Sequence, residues 1–161
     1  MTSPDAIDIA ALPSGFSDWT ALLDLINAAF AYMDGVIDPP SSAKSLTSES
    51  LKTKASRELC LVALRDGRLA GCVFADRRDD CLYIGKLAIS PDSQGKGIGR
   101  RLIHDVEAIA RSQGLVALEL QTRIELTGNQ TVFKRLGFHE TARTAHAGFS
   151  RPTSITMRKL L

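Results

Sequence analysis

The residues in this chain with the plainest chemical use run Gln94-Gly95-Lys96-Gly97-Ile98-Gly99-Arg100-Arg101. They follow an apolar, strand-like stretch and open an amphipathic helix. Alternating glycines let a backbone turn sharply and expose its N–H groups, and a helix mouth already favours negative charge through the macrodipole. Lys96, Arg100 and Arg101 are unfavourable at that end unless something negative lies nearby. The chemistry suited to this set is the capture of a phosphate-bearing ligand. Taken alone, the octapeptide reads equally as a solvated glycine-rich loop with incidental charge, so its surroundings must decide.

Two named phosphate motifs fit poorly. A P-loop needs Gly-x-x-x-x-Gly-Lys and then Ser or Thr, and a dinucleotide fingerprint needs Gly-x-Gly-x-x-Gly early in a βαβ unit. Here the spacing is Gly-x-Gly-x-Gly, and no hydroxyl residue follows Lys96. Nucleotide hydrolysis and hydride transfer lose ground accordingly.

The elements that must position this turn are legible from periodicity. Ala6 to Leu12 suits a short strand. Asp18 then caps a helix whose apolar positions Leu22, Leu25, Ile26, Ala29 and Phe30 recur at helical spacing, ending near Tyr32 to Gly35. Pro39 and Pro40 force an exposed loop. A shorter helix is expected from Thr47 or Ser48 to Ala55, with Glu49 in its first turn. Leu59 to Leu64 and Leu69 to Ala75 read as a hairpin turned at Asp66-Gly67, and Cys81 to Ile89 adds a third strand after Asp79-Asp80.

From Gly97 to Gln113, Ile98, Leu102, Val106 and Ile109 make one buried stripe, with Arg101, Asp105 and Arg111 off it. Gly114 is the expected C-cap. Val116, Leu118 and Leu120 then alternate with Ala117, Glu119 and Gln121 as a strand with unequal faces, completing a right-handed strand–helix–strand crossover with the glycine turn at its first junction. A helix from Asn129 to Leu136, a strand from Phe138 to Ala142, a loop through His146 and a last strand from Thr153 to Lys159 close the chain.

This order of elements, with Leu87-Ala88-Ile89-Ser90-Pro91 leading into the glycine turn and Leu136-Gly137-Phe138 ending a helix about forty residues later, resembles the GNAT superfamily of N-acetyltransferases. The similarity spans most of the chain. It implies a single domain over residues 1–161 and an α/β (α+β) fold. The expected sheet is mixed and mostly antiparallel, of about six to seven strands with helices on both faces. It implies acetyl-CoA as cosubstrate, its pantetheine arm lying in a gap between two diverging strands. Carried over by position, Leu87, Ala88 and Ile89 would line the thioester end. Gln94, Gly95, Lys96, Gly97, Ile98, Gly99 and Arg100 would bind the pyrophosphate, and Asn129 with its helix would flank the pantetheine and adenosine side.

One position departs from the pattern. Many relatives place a tyrosine five residues before the final phenylalanine, where its hydroxyl can protonate the departing thiolate; this chain has Phe133 there, packing beside the cosubstrate with no proton to give. Another group or water supplies the proton, the thiolate leaves unassisted, or the chain is a non-catalytic acyl-CoA-binding or sensing module.

The reaction implied by the resemblance is direct attack of a neutral primary amine, of a small molecule or peptide, on the thioester, with backbone donors holding the oxyanion. An alkyl ammonium of pKa ~10 must first lose a proton, and a positioned base contributes about 10²–10⁴-fold. Tyr83 is a candidate for contacting substrate or relaying that proton, and His146, in a glycine- and proline-bearing loop, is a second. Glu119 and Glu125 are weaker candidates, while Asp34 and Asp38 could attract a cationic amine.

The whole chain bounds these readings. Its 161 residues suit one domain that buries roughly 68–70% of its unfolded surface. Net charge is +2 with signs mixed along the chain, which argues against a broad nucleic-acid face, and no recognition-helix pattern supports a DNA-binding regulator. Cys60, Cys72 and Cys81 sit in or beside apolar runs without metal spacing and read as small buried thiols; His104, His139 and His146 are scattered, so no metal is expected. No apolar run reaches the ~18 residues of a membrane span, and no basic region precedes an apolar core at the N-terminus, so a cytoplasmic monomer or homodimer is expected.

Overall fold

The computed structural model describes residues 6–161. Strand β1 (Ile7–Ala11) leads to helix α1 (Trp19–Phe30), whose N-cap Asp18 accepts the Ala21 N–H at 3.2 Å. Leu22, Leu25, Ile26 and Ala29 are buried, as their helical spacing requires. Two short 3-10 turns, Ala31–Met33 and Ser42–Ser45, bracket the proline segment. Helix α2 (Ser48–Arg57) starts with a reciprocal capping box between Thr47 and Ser50.

Strands β2 (Leu59–Arg65), β3 (Arg68–Arg77) and β4 (Cys81–Ile89) form an antiparallel meander. Positive φ at both Asp66 (52°) and Gly67 (79°) makes the first connection a tight two-residue turn whose twist matches the strands. Helix α3 (Ile98–Ser112) crosses over to β5 (Ala117–Arg123), followed by α4 (Thr127–Arg135), β6 (His139–Thr144) and β7 (Ser154–Leu160). The seven strands make one sheet in the order β1-β2-β3-β4-β5-β7-β6, with β4 and β5 as its parallel pair.

The sheet has a core on each face. Ile98, Leu102, Ile103, Val106 and Ala110 of α3 pack on Val73, Ile84, Leu118 and Met157, with Phe133 and Leu136 of α4 beside them. On the other face α1 and α2 pack on Val62, Cys72, Phe74 and Ala88. Ile109, expected on the buried stripe of α3, is only partly buried at its margin. Val116 differs more: it is 52% exposed, because the strand begins one residue later and the inward places fall to Leu118 and Leu120. All three cysteines are free and buried, and burial, with Glu58 adding to it, pushes the Cys60 thiol up to about 12.

Two irregularities of β4 create the site. First, Phe74 pairs with Lys86 but Ala75 pairs with Ile84, so Gly85 is an extra residue bulged from the ladder. Side chains three apart, Tyr83 and Lys86, consequently share the α1/α2 face, while Leu82, Ile84, Leu87 and Ile89 share the other. Second, β4 pairs with β5 only over Cys81–Ile84, whereas β5 continues along β7 to Arg123. From Gly85 to Ile89, β4 therefore presents a main-chain edge without a strand neighbour on that side.

Candidate functional site

The parting of β4 from β5 opens a cleft of about 780 Å³. Leu87 and Ile89 line it from β4, Gln94, Gly95, Gly97, Ile98, Gly99 and Arg100 from the turn and first turn of α3, and Asn129, Val132, Phe133 and Leu136 from α4 and its end. Phe30 and Tyr32, at and just after the end of α1, complete the lining. Gly95 and Gly97 have φ of 79° and 77°, and a Cβ on either would meet nothing within 4 Å. Glycine is needed there for backbone direction, not for packing, and the space above the turn is open. Gly97 caps α3 with no side chain on the free N–H groups and no acid in the first turn. Such uncapped donors beside Arg100 suit a phosphate.

At its inner end the cleft meets a second hollow of about 310 Å³, and Phe30, Asn129 and Phe133 line both. The second pocket lies on the α1/α2 face, walled by Tyr83 and Lys86 of β4, Gln121 and Arg123 of β5, Pro40, Ser41 and Ser42 of the proline segment, and His146. Lys86 Nζ donates to Ser42 Oγ at 2.9 Å. Burial pushes the Lys86 ammonium below its ordinary value, and the positive charges of Lys54 and Arg123 add to this against the opposing pull of Glu58. Burial likewise raises the Tyr83 phenol, although the Arg78 guanidinium lies 3.8 Å over its ring and pulls the other way.

A model of the acetyltransferase (GNAT) family matches residues 19–138. The chain belongs to this family. An IAA acetyltransferase of Azospirillum brasilense is 29% identical over 143 residues, 88% of this chain and 91% of that one. PaiA N-acetyltransferase of Thermoplasma acidophilum, solved with coenzyme A, aligns with a TM-score of 0.79 at 20% identity over 97% of this chain and 99% of that one. The ribosomal-protein-S18-alanine N-acetyltransferase of Escherichia coli aligns at 0.74 and 22% over 96% and 94%. A GNAT family acetyltransferase of Elizabethkingia anophelis with acetyl-CoA bound aligns at 0.70 and 20% over 96% and 98%. These likenesses fix the fold as that of GNAT acetyltransferases, in agreement with the expected mixed sheet.

In this GNAT acetyltransferase, most residues singled out by sequence gather at the two hollows, with informative exceptions. Ala88 turns its side chain to the α1/α2 core, so only its main chain faces the gap. Lys96 is exposed beside the turn and outside the cleft wall. Arg101 donates to the Ile7 carbonyl at 3.2 Å and ties α3 to β1. His146 sits at the pocket rim, its Nδ1 hydrogen-bonded to Thr153 Oγ1 and its backbone N–H donating to the same oxygen at 2.9 Å.

The four acids considered as binders or bases are engaged elsewhere. Asp34 pairs with Lys44 at 2.9 Å, Asp38 lies 3.7 Å from Arg151, Glu119 accepts from Arg158 at 3.2 Å, and Glu125 accepts the Asp38 N–H at 3.0 Å. None of them lines the pocket.

Sequence reasoning missed Tyr32, Lys86, Ser42 and Arg123. Asn129 Nδ2 donates to the Tyr32 hydroxyl at 2.9 Å, which ties a phenol into the wall of the cleft that Phe133 also lines. Lys86 carried a signal, being the one charged residue within β4, one place after a mid-strand glycine. The remaining residues had none, since they converge from distant segments.

Proposed function

We propose that this GNAT acetyltransferase binds acetyl-CoA along the β4–β5 cleft and passes the acetyl group to a primary amine held in the smaller pocket. The observation that carries this reading is the continuity of the two hollows at Phe30, Asn129 and Phe133. A thioester lying through the gap ends where an amine entering from the other face of the sheet arrives. The donors fit the group: uncapped N–H groups of α3 and Arg100 suit the diphosphate, and the unpaired β4 edge suits the amides of the pantetheine arm. Leu87 and Ile89 supply apolar walls that exclude water from the acyl end.

The amine lone pair forms the C–N bond, the C–S bond breaks with its electrons on sulfur, nitrogen loses one proton and sulfur gains one. Phe133 cannot give that proton. Tyr32, whose hydroxyl Asn129 holds where cleft and pocket join, is the group assigned to it. Its placement supports transfer over the non-catalytic module, for which Phe133 was the argument. On the acceptor side, the raised Tyr83 phenol stays protonated at neutral pH and serves as contact or relay. His146 at the rim is the base that water can reach.

The test is thiol release from acetyl-CoA with the protein and a panel of primary amines. Amine-dependent release is expected. Acetyl-CoA bound in calorimetry with no release under any amine would establish the module instead.

A further inference from the structure

The acceptor pocket is lined by two cations, Lys86 and Arg123; Glu125 and Asp38, outside the lining, pull on Arg123, whereas Lys86 has no acid partner within hydrogen-bond reach among the described residues. The bulge at Gly85 puts Lys86 on the pocket face, where regular alternation would have put it opposite Tyr83. Lys54, Glu58 and Arg123 are the charged groups around Lys86, and Glu58 is engaged by Lys54 at 2.6 Å. Arg123 gives Nη2 to the Pro40 carbonyl at 3.0 Å; its Nη1 and Glu125 Oε1 are both buried without a hydrogen-bond partner, so that edge of the guanidinium faces away from the hollow's solvent. No aspartate or glutamate lines this pocket among the described residues. The same hollow has an apolar side, formed by Met33, Ile37 and Leu126.

We propose that the acceptor is an apolar α-amino acid whose carboxylate is held by Lys86 and Arg123 and whose side chain lies against Met33, Ile37 and Leu126. The proposal rests on the acetyl-transfer reading and names the substrate class for it. An alkyl polyamine would bring further positive charge to Lys86 and Arg123, whereas a carboxylate relieves the repulsion that Lys54 and Arg123 exert on Lys86 and gives its ammonium an anionic acceptor beside Ser42. The same positive surroundings favour the neutral form of the attacking amine, which is the nucleophile. A hollow of about 310 Å³ suits one small molecule.

The experiment measures kcat/KM by CoA release with leucine, methionine and phenylalanine, each beside its carboxamide, its decarboxylated amine and its N-terminal dipeptide with glycine. The free amino acids are expected to exceed the other three forms by roughly 10- to 100-fold, the loss of a charge-assisted contact. Lys86→Met should bring the free acids down to the level of the amides, and Lys86→Glu should reverse the preference towards the decarboxylated amines. Melting temperatures confirm that both variants fold.

Equal use of acid, amide and amine by the native protein overturns the proposal, as does a Lys86→Met loss that is uniform across acceptors. A preference for the dipeptides overturns it in favour of a peptide N-terminus. Should no acceptor release CoA, the transfer reading fails, and calorimetry of leucine against leucinamide on the acetyl-CoA-loaded protein still reads the pocket. Binding of leucine without leucinamide upholds the carboxylate site, and binding of neither, or of both equally, overturns it.

Discussion

The walls of the 780 Å³ cleft that face the expected cosubstrate owe their shape to main chain: a β4 edge left open by β5, two glycines with positive φ, and the uncapped start of α3. The 310 Å³ pocket beside it is a meeting of side chains from β4, β5, the proline segment and the loop before β7. The donor groups of the first come from one contiguous stretch and the parting of one strand, with side chains from the end of α1 and from α4 closing the cleft. The second depends on side chains from segments as far apart as Phe30 and Ser154. A fold built this way keeps its donor site while its acceptor changes, which is why family membership says more about the first hollow than the second.

The division can be broken or sharpened by variants that act on one hollow only. The largest effect is expected from Gly99→Trp. A Cβ there meets only Ile89 at 3.8 Å, so the helix tolerates it while the indole fills the cleft. Acetyl-CoA affinity should fall by more than about 100-fold, equally for every acceptor; a loss that varied with the acceptor would merge the two hollows.

Next is Tyr32→Phe, which removes the hydroxyl bonded to Asn129 and should lower kcat by roughly 10²-fold while leaving acetyl-CoA affinity nearly unchanged. Adding Phe133→Tyr should restore part of that loss by placing a phenol in the same cleft. An unaltered kcat in Tyr32→Phe would assign the proton to water. His146→Ala is expected to lower kcat by about 10²-fold, the low end of what a positioned base contributes; an unchanged kcat would remove it from the chemistry.

Smallest for activity, and a control for both hollows, is Glu107→Gln. Burial pushes the Glu107 carboxyl up, but Lys159 at 2.8 Å and Arg111 at 2.7 Å overcome this and hold it below the ordinary range. A depressed folded value means the contribution is complete above the unfolded value of ~4.3 and is lost as pH falls through the folded one. Glu107→Gln should therefore cost about 1–3 kcal/mol at neutral pH, with the gap to the native protein closing in acid. CoA release measured at 25 °C should not change.

What the sequence disclosed follows the same division. Hydrophobic period, the Asp66-Gly67 turn and the glycine run located every strand and helix near the cleft, and the bounds of β4 as Cys81 to Ile89 coincide with the strand. Local chemistry decides those features, so a local pattern reveals them. The bulge did not appear, because one extra residue inside an apolar run breaks no pattern that alternation alone can detect, yet it reverses the face of Lys86. Asp34 and Asp38 looked available for a cation because their partners Lys44 and Arg151 are brought to them only by the folding of the proline segment. Tyr32 looked like a helix end until the fold carried it 97 residues along the chain to Asn129.

The central claim is that main-chain groups at the start of α3 and along the open edge of β4 hold acetyl-CoA. Titration calorimetry of acetyl-CoA into the folded native protein and into Gly99→Trp tests it most directly. One-to-one binding to the native protein, lost in the variant at an unchanged melting temperature, is the expected result. No binding by the native protein, or equal binding by the two, would contradict it.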